Sequence, residues 1–127
     1  SRPGRTLYGD FHIGQMLAHG SDVYFFDLDS FAVGDPERDL AEFIVSLLFY
    51  EVEPQLVCLM TLALVESYRV SVSWKIEIDR LYWYALVEYV TRAYGFYRQQ
   101  RPGWAGALQR SLSNLPSLEA AILELAA

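Results

Sequence analysis

Two short polar segments hold most of the side chains that could do chemistry. The first is Tyr8-Gly9-Asp10-Phe11-His12-Ile13-Gly14-Gln15. The second begins Phe26-Asp27-Leu28-Asp29 and ends Gly34-Asp35-Pro36-Glu37-Arg38-Asp39-Leu40-Ala41. Between them, the runs 15–18 and 23–26 flank the turn-forming tetrad His19-Gly20-Ser21-Asp22, which predicts a β-hairpin. Such a hairpin would bring Asp10, Gln15 and Asp27 together at its open end. Two carboxylates and an amide oxygen are hard oxygen donors of the kind Mg²⁺ prefers. A carboxylate left off the metal can orient or deprotonate a hydroxyl. This inventory fits phosphoryl transfer, in which positioning and charge neutralisation supply most of the catalysis.

Other polar residues near these segments have more than one reading. Asp29 would either hold the metal, directly or from behind its ligands, or cap the loop; His12 would contact substrate, support the site from behind, or make a local loop hydrogen bond. His19 reads as a turn residue. Asp10-Phe11-His12 also has the Asp-x-His form of a two-metal phosphoesterase, but such sites need further His and Asn ligands. With His12, His19 and Asn114 as the whole supply, that chemistry is set aside.

The elements that must position these groups follow from periodicity. From Pro36 onward the apolar spacing becomes helical. Asp35 suits an N-cap, Pro36 the first helical position, and Glu37 the positive helix end. Leu40, Phe43, Ile44, Leu47 and Leu48 then form one apolar stripe. A second helix is expected from Pro54 to about Tyr68. A third should run from about Trp74 to Tyr97, with Tyr82, Ala85, Leu86, Tyr89, Val90 and Ala93 on one face. After the Pro102-Gly103 break, 104–112 and 117–125 read as two shorter helices. The aromatics Tyr82, Trp83, Tyr84 and Tyr89 suit core better than a substrate cleft, and Glu51, Glu53, Glu77 and Asp79 read as solvated helix ends. The fold expected is mainly α with a small β-hairpin: one domain over 1–127, with the catalytic and metal-binding loops in 1–35 and a helical bundle in 36–127.

The two polar segments resemble the catalytic loop and metal-binding loop of the aminoglycoside phosphotransferase family, small-molecule kinases related to protein kinases. The family pattern is His-Gly-Asp, four residues, Asn, a hairpin, Asp-x-Asp/Glu/Trp, and then Gly-Asp-Pro-x-x-Asp-Leu-Ala. The chain follows it from Leu7 to Ala41, with the last eight residues intact; Phe96-Tyr97-Arg98 and Trp104 are similar to the helical tail of some members. The resemblance implies a protein-kinase-like C-terminal lobe. In it Asp10 would be the catalytic aspartate facing an acceptor hydroxyl, and Asp27 with Gln15 would hold Mg²⁺ against ATP. Asp35 and Asp39 would be structural, capping the helix and pinning the loops. Tyr8 stands where the family usually has histidine, and Gln15 where it usually has asparagine. No Gly-x-Gly-x-x-Gly motif is present, and Lys75, the one lysine, follows Asp10 rather than preceding it. The chain therefore reads as truncated, with the N-terminal nucleotide lobe absent, and is expected to be inactive alone. A non-catalytic helical interaction module or pseudokinase remnant is the alternative.

Composition narrows the partners. A formal net charge of −6 with one lysine argues against a phosphate-backbone partner, which needs a dense basic patch. The run around Cys58 is far short of the ~20 apolar residues that span a bilayer. Cys58 has no disulfide partner in the chain; it is expected to be a buried thiol in a cytoplasmic protein. The expected partners are a small-molecule hydroxyl acceptor and, through surface bared by truncation, a second copy of the chain.

Overall fold

A computed structural model describes residues 4–25 and 32–127. Its described part is mainly helical, with two small antiparallel sheets ahead of four helices. Strands β2 (Met16–His19) and β3 (Asp22–Phe25) form the expected hairpin, paired from Met16 opposite Phe25 to His19 opposite Asp22. Gly20 turns the chain at φ 62°, a left-handed conformation that only glycine adopts without strain. The second sheet was not foreseen. It joins β1 (Arg5–Leu7) to β4 (Ala32–Gly34), so the two polar segments are stitched together at their outer ends. Three-residue strands carry too little alternation to be read from a sequence, but Leu7 anchors this one in the core at 2% exposure.

Helix α1 (Pro36–Phe49) starts at the predicted proline and is the centre of the fold. Its predicted stripe is buried, and so are Ala41, Val45 and Phe49, so the helix is enclosed on nearly every side. It lies against α3 (Ile78–Gln99), while α2 (Pro54–Ser71) lies against α4 (Trp104–Ala126). Among the described residues no helix is long and apolar enough to cross a membrane.

Four expectations need correction. Helix α3 begins at Ile78 rather than near Trp74. The backbone N–H of Glu77, its N-cap residue, donates to the buried carboxylate of Glu37, and Ile76 is buried beside it. That bond holds Glu77 in an extended conformation just ahead of the helix, which helical periodicity cannot show. The buried face of α3 is carried by Leu81, Ala85 and Tyr89, whereas Leu86 and Val90 face outward. The two short C-terminal helices are one, α4, which continues through Pro116. Pro116 sits on the exposed side while Leu118, Ala121, Ile122 and Leu125 on the other side are buried, so packing outweighs one missing backbone bond. Cys58 is only partly buried.

Candidate functional site

The loop 8–15 is laid against one face of α1 by its backbone. Three polar side chains at helical spacing, Asp39, Glu42 and Ser46, accept its N–H groups in order. Asp39 takes Tyr8 through Oδ2 at 2.6 Å and Gly9 through Oδ1 at 3.1 Å. Glu42 Oε2 takes Phe11 at 3.1 Å, and Ser46 Oγ takes Ile13 at 3.1 Å. Ser46 Oγ in turn donates a hydrogen bond to the carbonyl of Phe43 at 2.5 Å. Gly9, at φ 88°, supplies the bend that lets consecutive N–H groups reach one carboxylate.

Asp10 is the most available acid of the loop, its side chain about half exposed. Gln15 is 6% exposed and donates from Nε2 to Asp10 Oδ2 at 3.3 Å. His12 Nε2 lies 3.7 Å from the same oxygen. Its other nitrogen, Nδ1, accepts the N–H of Gly14 at 3.1 Å, and its ring stacks on Tyr50 at 5.9 Å. Asp10, His12 and Gln15 are thus brought together, with Gln15 behind and the carboxylate in front. Asp27 and Asp29 lie outside the described residues. On the Tyr8 side of the loop, Phe11 stacks on Phe43 at 4.8 Å and touches Phe25 at 5.8 Å. Tyr8, Phe11 and Phe25 there border an apolar cleft closed by Leu40, Leu64 and Tyr68.

Asp35 makes no side-chain cap to α1. Its Oδ2 instead accepts from Arg80 Nη1 at 3.0 Å and from the Tyr84 hydroxyl at 2.8 Å, tying the start of α1 to α3. Burial raises the pKa of Asp39, opposed by the N–H groups of Tyr8 and Gly9 and by Arg38. Glu42 is pushed further, to about 7. Burial is the main cause, followed by the negative charge of Glu88; the Phe11 N–H and Arg38, 3.4 Å away, pull it back. Sequence reading had not singled out Glu42 or Ser46. Their signal was present as polar residues three and seven positions after Asp39, the two interruptions of an apolar run from Leu40 to Phe49.

As for metal, Gln15 turns its Nε2 to Asp10 and carries in addition an amide oxygen, a hard donor of the kind that fits Mg²⁺. Among the described residues no group of three or more His, Cys, Asp or Glu side chains converges as a metal site. The chain matches no protein-family profile, no curated protein and no solved structure.

Proposed function

We propose that these residues are the catalytic-loop half of a phosphotransferase that moves the γ-phosphoryl group of ATP to a hydroxyl of a small molecule. The observation that carries the reading is the setting of Asp10. It is a half-exposed carboxylate, held from behind by Gln15, on a loop whose backbone is fastened to α1 at Tyr8, Gly9, Phe11 and Ile13. A rigid acid open to solvent on one side is what orients an attacking hydroxyl. In the reaction the acceptor oxygen bonds to Pγ as the bond from Pγ to the β–γ bridging oxygen breaks. The acceptor proton passes to Asp10, and ADP leaves. Asp27 and Gln15 would hold Mg²⁺, which when bound neutralises charge on the phosphates. The kinase-like C-terminal lobe and the cytoplasmic setting belong to the same proposal. The nucleotide grip would come from outside these 127 residues.

The test is Mg²⁺-dependent ATP turnover by the full-length parent against a panel of hydroxyl acceptors, with Asp10→Asn beside it. Turnover that falls by roughly a hundredfold or more in the variant is expected if Asp10 acts as the base. A folded parent that neither binds nor turns over ATP, or a variant as active as the parent, overturns the reading.

A further inference from the structure

Helix α3 is apolar on two opposite faces. Leu81, Ala85 and Tyr89 face the core. On the far side, Trp83, Val87, Val90, Tyr94 and Tyr97 are 59%, 44%, 65%, 60% and 57% exposed. Their spacing is four, three, four, three, the repeat that keeps one seam of a helix facing a partner helix. Leu86, Thr91 and Ala93 flank the seam, and no charged side chain interrupts it between Trp83 and Tyr97. Depletion of charge with enrichment of Trp and Tyr is the composition of an interface centre rather than of a solvated face.

We propose that α3 pairs through this seam with α3 of a second copy of the chain, antiparallel, about a two-fold axis near Val90. Charge sets both the occupant and the direction. At the N-terminal end of α3, Glu77 is paired with Arg80, which also reaches Asp35, and exposed Lys75 lies just before the helix; the acid in line with the seam is exposed Asp79, one turn before Trp83. Exposed Arg98 lies in the last turn of α3 and exposed Arg101 just beyond its end. Antiparallel pairing lays Asp79 of each copy beside Arg98 and Arg101 of the other and opposes the two helix dipoles. Parallel pairing would stack like charges at both ends. The same antiparallel arrangement places Trp83 of each copy beside the Tyr94 and Tyr97 end of its mate, while the small side chains Val87 and Val90 let the backbones approach at the middle. The seam faces away from the Asp10 loop's anchors on α1, so the pairing is independent of the phosphotransferase reading.

The experiment is sedimentation velocity on the 127-residue chain across a concentration series into the tens of micromolar, compared with Val90→Glu. Val90 is exposed, so the variant keeps its fold, which circular dichroism checks. A dimer that Val90→Glu weakens by roughly a hundredfold or more is expected, because each copy then buries a carboxylate against its like. Asp79→Arg should weaken the dimer, and adding Arg101→Asp should restore it. A monomeric parent, or a dimer indifferent to Val90→Glu, overturns the pairing. Dissociation by Val90→Glu with no response to the charge exchange overturns the antiparallel direction.

Discussion

Asp39 reaches back thirty-one positions to take the backbone N–H of Tyr8 at 2.6 Å, and this contact starts the seating of the Asp10 loop on α1. Removing it should be felt in two places. Asp39→Ala leaves the N–H groups of Tyr8 and Gly9 without their acceptor and should lower stability by about 2 kcal/mol. Asp39→Asn, with one acceptor oxygen left, should recover roughly half of that. Urea unfolding gives the total, and faster amide exchange at Tyr8 and Gly9 localises it. Equal exchange in both proteins would mean that the loop is held elsewhere.

Glu42 makes stability depend on pH in a defined window. Its pKa stands at about 7 against an ordinary 4.5, raised by burial and by Glu88 against the pull of the Phe11 N–H and Arg38, with Asp39 adding a smaller push. The folded state therefore keeps a proton that the unfolded chain has already lost between these values. Stability from this group is full below pH 4.5 and declines as pH rises through 7. Glu42→Gln keeps an oxygen for Phe11 and never ionises. Its stability advantage over the parent should grow by about 3 kcal/mol across the window and stay level above it. Thermal unfolding at several pH values reads this directly, and a constant difference would show that Glu42 titrates normally.

Ser46 is fully buried and bridges the N–H of Ile13 to the carbonyl of Phe43. Ser46→Ala should cost about 1 kcal/mol, from one unsatisfied loop N–H. Amide exchange should quicken at Ile13 while the amides of α1 itself stay as protected as before.

Pro116 lies on the exposed side of a continuous α4, where it removes one helical hydrogen bond. Pro116→Ala should restore that bond and stabilise the protein by about 1–3 kcal/mol. A raised midpoint in thermal unfolding checks it. A lowered midpoint would show that the packing of 118–125 requires a bend at the proline.

Local signals were legible because they act within a turn or two of chain. The hairpin showed itself through Gly20 and its flanking apolar runs, and α1 through Pro36 and the stripe from Leu40 to Leu48. Pro54 marked the start of α2 in the same way. Asp10, Asp35 and Asp39 were also visible, as acids in the polar segments on either side of the hairpin. What each does with its oxygens was not. Asp35 looked like a cap by position, yet Arg80 and Tyr84 claim its carboxylate from α3.

The sequence by itself determined where helices and turns are favoured and which polar residues are available, because backbone propensity and apolar spacing are properties of neighbours in the chain. Tertiary structure decided the rest. Only the approach of the loop 8–15 turned Asp39, Glu42 and Ser46 into a row of acceptors. Only burial beside Glu88 moved Glu42 toward neutrality. Whether Pro116 ends a helix or rides on its outer face depended on α2 and α3 holding the two halves of α4 in line. Which of the two apolar faces of α3 meets the core was likewise settled by α1, because hydrophobic burial has no direction of its own and takes it from whatever surface is nearest.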